Sequence, residues 1–369
     1  MRLRLGTRRS ALAVAQSELV ADQLRELGHE VELVRIVTEG DVTRSSLTQL
    51  FGLGVFAAAL RQAVLDGRCD FAVHSMKDLP VAPVPGLQIA AVPRRANPFD
   101  VLCAREGLTL DELPSGARIG SGSPRRVAQL RAIRPDLEFV DIRGNVGTRL
   151  ARVAPDDLDA VVLAAAGLQR LGMAEVATEV LPILPAPGQG ALALECRADD
   201  GAVLAALTDL DDAATREAVA AERTVLALLG GGCAAPIAAH AADGKLDAVV
   251  CALDGARQAR ASLPLQPRAA ELVVEELLGM GAASIADLAA SRPSRLEELH
   301  DDADLWRGAV PLGGLRILLT TSRQRLADQL RAAGAEVDAV DFQKPQPLVD
   351  LPEELPAADW VVFLFLIHI

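Results

Sequence analysis

The chain has 369 residues, 50% hydrophobic and 24% charged, with a formal net charge of −13. Such a composition supports two or three folded domains and excludes disorder for the chain as a whole. The acidic balance argues against nucleic acid as the main partner, and no apolar run, Trp360 to Ile367 included, approaches the roughly 20 residues that span a bilayer.

Arg2–Leu5 reads as a strand. The helix after it is capped by Ser10, repeats apolar residues at Leu12, Ala15, Leu19, Val20, Leu24 and Leu27, and stops at Gly28. Its opening Ala11–Ala15 is too short for the core of a signal peptide, so no targeting segment is expected. A strand over 31–37, a helix over 55–65 and a strand over 70–73 complete a β-α-β-α-β order, which predicts a parallel sheet with helices on its faces. Four prolines between 80 and 93 punctuate a loop and strand region, and near Asn97-Pro98 the chain leaves this first unit. Strands over 117–120, 138–142 and 160–163 then alternate with helices from Pro124, from Asn145 and over 164–171. Leu184-Pro-Ala-Pro-Gly-Gln-Gly190 is a stiff linker, and 191–195 reads as a strand again. Two α/β lobes joined by two crossings predict a hinged cleft.

After Asp211 the pattern changes. A helix over 215–229 ends in Gly230-Gly-Gly232, strands follow at 236–240, 246–253 and 257–263, and helices at 269–279 and 283–290. Strands followed by helices predict a small α+β domain. From Leu315 a strand (316–320), a helix (322–333) and a strand (336–340) open another α/β unit of about 55 residues, few for a closed core. The expected boundaries are 1–93 with 191–210 for the first lobe, 97–187 for the second, 212–303 for the α+β domain and 312–369 for the last unit.

Four segments carry chemistry. Ile119-Gly-Ser-Gly-Ser-Pro-Arg-Arg126 is a strand, a small-residue turn and a helix start, with Ser123 as cap and Pro124 at the first helical position. Free N–H groups, the helix dipole and two arginines suit an anion there, although a capped helix with two solvated arginines has the same sequence. Asp141-Ile-Arg-Gly-Asn-Val-Gly-Thr-Arg149 repeats the arrangement. Seven arginines face three acids between residues 118 and 149, a local charge opposite to that of the whole chain. Guanidinium forks pair bidentately with carboxylates, so several in one cleft suit a polycarboxylate, and Arg8 and Arg170 stand where they can join Arg125, Arg126, Arg143 and Arg149.

His74-Ser-Met-Lys-Asp78 places a carboxylate beside the only lysine before Lys245. Asp78 either pairs with Lys77 or faces the cleft to stabilise a developing cation. At about 4 Å and an effective dielectric near 20 such a contact is worth roughly 4 kcal/mol, about three powers of ten in rate. Gly230-Gly-Gly-Cys-Ala-Ala-Pro236 sets a cysteine on a glycine-rich loop, open to a nucleophilic or attachment role or to that of a plain loop thiol. The five cysteines (Cys69, Cys103, Cys196, Cys233, Cys251) are odd in number and lack CxxC spacing. Reduced thiols in the cytoplasm are therefore expected, with neither zinc nor any other metal.

These motifs occur in order with Thr7-Arg8, Ser10-Ala-Leu-Ala13, Ala166-Gly-Leu-Gln-Arg-Leu-Gly172, Pro187-Gly-Gln-Gly190 and Gly231-Gly-Cys233. The set resembles the porphobilinogen deaminase (hydroxymethylbilane synthase) family from residue 1 to about residue 300. The resemblance implies two periplasmic-binding-protein-like α/β lobes around a cleft and a third domain whose cysteine, here Cys233, holds a dipyrromethane cofactor by a thioether. It implies head-to-tail condensation of four porphobilinogens with loss of ammonia to give hydroxymethylbilane. Asp78 matches the catalytic aspartate. Arg8, Arg125, Arg126, Arg143, Arg149 and Arg170 match carboxylate-binding arginines. Ser75, Lys77, Ser121 and Ser123 match further cofactor or substrate contacts, and Gln16 matches a position near the cleft. Two departures stand out: Leu53 replaces a lysine of the loop before the second helix, and Gly122 replaces a serine.

The tail from Leu315, with Thr321-Ser-Arg323, Gly334-Ala-Glu-Val337 and Ala358-Asp-Trp-Val-Val-Phe363, resembles the opening of uroporphyrinogen-III synthase until Phe363. It reads as a truncated or frameshifted fusion without synthase activity, and it raises functional coupling to that enzyme. A monomer is expected, with no membrane or nucleic-acid partner. The competing readings are a non-catalytic binding protein for an anionic solute, disfavoured by the extra cysteine domain, and a bifunctional fusion, for which the second domain is incomplete.

Overall fold

The computed structural model describes residues 1–36, 55–231 and 235–286 and three short strands beyond them. The chain divides into two compact units, Met1–Ser294 and Arg295–Ile369.

Ten strands build the two larger sheets of the first unit. In chain order they are β1 (Arg2–Thr7), β2 (Glu30–Arg35), β3 (Phe71–Ser75), β4 (Leu87–Ala91), β5 (Asp100–Ala104), β6 (Arg118–Gly120), β7 (Glu138–Val140), β8 (Ala160–Ala164), β9 (Glu179–Val180) and β10 (Leu192–Arg197). One sheet has the order β2-β1-β3-β10-β4 and the other β7-β6-β8-β5-β9. Leu3, Leu5, Phe71 and Leu194 are fully buried in the first, as central strands covered on both faces require.

The expectation of a purely parallel sheet needs correction. β1, β2 and β3 are parallel, but β10 runs antiparallel between β3 and β4. In the second sheet β6 is parallel to β7 and β8, and β5 is antiparallel to β8 and β9. The cause is connectivity. β5 and β10 are the strands that arrive from the other lobe, and each enters at the carboxyl ends of the parallel strands: Asp100 pairs with Ala164, and Leu192 with Ser75. A strand entering there runs against its neighbours. The strand expected among the four prolines is β4, whereas β5 and β9 are elements that the sequence pattern did not reveal.

The helices are α1 (Ala11–Glu26) and α2 (Val55–Leu65) in the first lobe and α3 (Pro124–Ile133), α4 (Val146–Leu150) and α5 (Ala165–Arg170) in the second. α6 (Gly201–Thr208) packs on the first again. The Ser10 hydroxyl accepts from Ala13 N–H and Asn145 caps α4 through Thr148 N–H, both as side-chain N-caps. Ser123 departs from expectation: it precedes α3, but its side chain makes no capping hydrogen bond.

The two crossings lie side by side. Ala96 N–H donates to Gly190 O at 3.2 Å, and Arg95 Nε donates to Gln189 O at 2.7 Å. Gly190 has φ +88°, and a Cβ there would stand 2.5 Å from Ala96 O, so only glycine permits this approach. The third sheet, β11 (Ile237–Ala242), β12 (Lys245–Cys251) and β13 (Gln258–Pro264), is antiparallel and packs on α7 (Ala213–Leu228) and α8 (Ala269–Gly279), with the one-turn α9 (Ala282–Ile285) beside them. Glu222 of α7, fully buried, joins this domain to both crossings. It accepts from Arg95 at 2.6 and 2.9 Å, from Gly188 N–H at 2.7 Å and from Ala241 N–H at 2.8 Å.

The second unit shows three parallel strands, β14 (Arg316–Leu319), β15 (Glu336–Ala339) and β16 (Trp360–Val362), in the order β15-β14-β16. The expected helix over 322–333 lies outside the described residues.

Candidate functional site

The carboxyl ends of the parallel strands carry the sequence candidates. In the first lobe Arg8 follows β1, Ser75 ends β3, and Met76–Asp78 form one 3-10 turn after it. In the second lobe Ser121 and Ser123 follow β6, Arg125 and Arg126 occupy the first turn of α3, Arg143 follows β7, Arg149 lies in α4 and Arg170 ends α5. This is the ligand-binding edge of an open α/β sheet.

Gln16, buried on α1, reaches across to Ser75 and donates to its hydroxyl at 2.9 Å. Asp78 is exposed, and among the described residues its carboxylate makes no hydrogen bond or ion pair. The alternative of a Lys77–Asp78 pair is therefore not what forms: Lys77 Nζ donates to Gln189 Oε1 at 3.1 Å. Burial brings the Lys77 ammonium down to about 8, with the Asp78 charge acting against that fall.

Arg125 and Arg126 correct the expectation of two solvated or open guanidiniums. Both are buried and share Asp100: Arg125 Nη2 lies 2.7 Å from Oδ2, and Arg126 Nε and Nη2 lie 2.9 and 2.7 Å from Oδ1. Arg126 also donates to Val162 O at 2.9 Å. Burial alone would raise the Asp100 carboxyl, and the two guanidiniums more than reverse it, holding it well below the ordinary carboxylate range. One carboxylate between two guanidiniums leaves a positive charge in excess, close to Lys77.

Arg149 Nε donates to Gly144 O at 2.8 Å. Its guanidinium is lowered by burial and by Arg126, with Asp78 of the other lobe opposing, so the two lobes place these groups within reach of each other's fields. Arg143 meets Asp141 at 3.1 Å. Arg170 donates to Gly190 O at 2.7 Å, leaves a buried Nε without an acceptor among the described residues, and is lowered by burial to about 10. Among the described residues no carboxylate pairs with this partly buried guanidinium, so it retains hydrogen-bonding capacity toward an anion. Ser121 is buried, and its hydroxyl accepts from Ser123 N–H at 3.3 Å, while the Ser123 side chain makes no capping bond to the helix end. The Gly122 departure has a local reason: a Cβ there would stand 2.6 Å from Ile142 O.

Cys233 and the loop around Leu53 lie outside the described residues. Cys69, Cys103, Cys196 and Cys251 are all buried, with burial raising each thiol to about 11, far from a reactive state. The residues that the sequence reading missed are Asp100 and Gln189. Their signal was slight: one acid at the start of an apolar strand, and one amide inside a Pro/Gly linker.

Fold and site together define an α/β protein with two mixed five-stranded sheets, whose candidate cations and exposed Asp78 stand at the strand ends of the two sheets. A family model described as "Porphobilinogen deaminase, dipyromethane cofactor binding domain" matches residues 3–205, and one described as the C-terminal domain of porphobilinogen deaminase matches residues 216–279. The chain belongs to the porphobilinogen deaminase family, transferases of tetrapyrrole biosynthesis. It is 53% identical over 311 residues to the porphobilinogen deaminase of Leifsonia xyli subsp. xyli, covering 78% of this chain and 94% of that protein. It is 50% identical over 331 residues to that of Cutibacterium acnes, covering 79% and 99%. Among solved structures, the methionine binding protein MetQ aligns over 60% of this chain and 94% of its own, at 12% identity and a TM-score of 0.39.

Proposed function

We propose that this chain joins four porphobilinogens head to tail into hydroxymethylbilane, on a dipyrromethane held by the Cys233 thioether. The observation that supports the reading is the linkage of Lys77 through Gln189 to Asp100 and Arg126, with Asp78 and Arg149 within reach of the same charges. Each porphobilinogen brings an acetate and a propionate, so the growing chain is a polyanion. The excess charge at Arg125–Asp100–Arg126, the acceptor-poor Arg170, and Arg8, Arg143 and Arg149 around them fit such a ligand.

When bound, the dipyrromethane supplies the end on which the chain is built. Arg8, Arg143, Arg149 and Arg170 hold carboxylates, and Ser75, Ser121, Ser123 and Gln16 contribute neutral contacts. Asp78 holds pyrrole N–H groups, assists proton transfer and stabilises the cation formed as ammonia leaves; its carboxylate has no ion-pair partner among the described residues, which suits that role. Cys233 is taken as the attachment point from the family resemblance, and the burial of the four described cysteines is consistent with that assignment.

We place the first lobe at 1–93 with 191–210, the second at 97–187 and the attachment domain at 212–303. A monomer in the cytoplasm is the working state; no described helix is long and apolar enough to cross a membrane. Residues 312–369 derive from the opening of a uroporphyrinogen-III synthase, a reading supported by the motifs and by the parallel β15-β14-β16 order, and coupling to that enzyme goes with it.

Intact mass is the test of the main reading. The purified chain is expected to exceed its sequence mass by a two-pyrrole adduct that Cys233→Ala abolishes. An unmodified native chain that still consumes porphobilinogen would end the attachment proposal. For the tail, the chain supplied with hydroxymethylbilane is expected to form no type III isomer enzymatically; formation of that isomer would assign synthase activity to it.

A further inference from the structure

We propose that Gln189, on the second crossing, is a positioning residue that sets the spacing between Lys77 of the first lobe and the Asp100–Arg125–Arg126 set of the second. The proposal rests on the reading that these cations face substrate or cofactor carboxylates.

The side chain of Gln189 is nearly inaccessible, and it uses both ends of its amide. Oε1 accepts from Lys77 Nζ at 3.1 Å, while Nε2 donates to Asp100 Oδ1 at 2.8 Å and to Pro98 O at 2.7 Å. An uncharged group that accepts from an ammonium and donates to a carboxylate at the same time is what an amide provides. Glutamate would lose the donors and set a second anion against Asp100. Leucine would leave the carboxylate and the ammonium each without one bond, and buried charged groups are costly to leave so.

The backbone that carries this amide has little play. Gln189 N–H donates to Ala186 O at 2.9 Å, and Gln189 O accepts from Arg95, whose guanidinium is held by Glu222. The glycines on either side have φ +73° and +88°, and a Cβ on them would meet Met76 and the first crossing at 2.7 and 2.5 Å. The spacer is therefore anchored to the third domain and to both crossings. Among the described residues, the charged groups facing Lys77 include Asp78 on its own turn, Arg125 and Arg126 on α3, and Asp100 on β5. The Gln189 oxygen adds a contact that favours the ammonium form.

The chain has only three lysines, Lys77, Lys245 and Lys344, so the full-length protein labelled with 13C-lysine gives three side-chain titrations, and Lys77→Arg assigns one of them. In Q189L the Lys77 midpoint is expected to fall by about half a pH unit or more, and the alkaline limb of kcat/KM to move down with it. In Q189E, which keeps an acceptor and adds a negative charge, both are expected to move up. If Gln189 only braces the crossing, both variants lower thermal stability while the Lys77 titration and the alkaline limb stay at their native positions, and that result overturns the proposal. A Lys77 midpoint that shifts while cofactor loading and the alkaline limb do not supports the spacing role and overturns instead the placement of Lys77 at the substrate.

Discussion

The first lobe orders its strands β2-β1-β3-β10-β4 and the second β7-β6-β8-β5-β9, so each holds a parallel trio beside one antiparallel strand from the other side. At the cleft ends of those trios the lobes diverge. The first presents Asp78, exposed and without a protein partner among the described residues. The second buries its carboxylate, Asp100, between Arg125 and Arg126 and leaves positive charge in excess. The two acids stand at different points of the scaffold, Asp78 in the turn after β3 and Asp100 at the start of β5. A carboxylate that the protein has already paired orders its neighbours, whereas an unpaired one keeps its field for whatever enters the cleft.

The largest effect that sharpens this contrast is expected at Asp78. Asp78→Asn should lower turnover by about three powers of ten, the rate equivalent of one carboxylate–cation contact, while the melting temperature stays near native. Normal porphobilinogen consumption by that variant would erase the distinction between the lobes. Asp100→Asn should do the reverse and act on stability first. Removing the charge between two buried guanidiniums is expected to cost about 3–5 kcal/mol in urea unfolding.

The sign of the pH dependence separates this from a packing defect. Asp100 is depressed in the folded state. Its contribution is therefore present above the unfolded carboxyl value, near 4, and is lost as the pH falls below it toward the folded value. The gap between native and D100N stability should narrow below about pH 4 and stay constant from pH 5 upward. The smallest effect is expected at Gly122. A serine there brings its Cβ against Ile142 O, and overpacking of that kind costs about 1–3 kcal/mol. Thermal denaturation of G122S measures it; an unchanged midpoint would mean that the turn after β6 yields freely.

Much of this was legible in the sequence where one physical signal acted alone. Apolar periodicity and Gly28 placed α1, and Val55–Leu65 and Ala269–Gly279 were read with their observed bounds. The arginine excess in a −13 chain falls at the carboxyl ends of the second sheet's parallel strands and in the helices after them. What escaped was non-local. β5 carries no helix before it to announce a parallel unit, so the reversal that makes both sheets mixed cannot be seen from alternation. The commitment of Arg125 and Arg126 to Asp100 spans 25 and 26 residues and links the helix after β6 to β5, on the far side of β8. Ser123 has the residue type of a cap in the position of a cap, yet its side chain makes no capping hydrogen bond.

The mid-sheet place of β10 has a consequence for biosynthesis. Until residue 197 leaves the ribosome, β4 has no neighbour joining it to the β2-β1-β3 trio, whereas every strand of the second sheet has been made by residue 180. The later-encoded lobe can thus close while the earlier one waits, half assembled and with apolar edges bare, so the nascent chain matures from its middle outward.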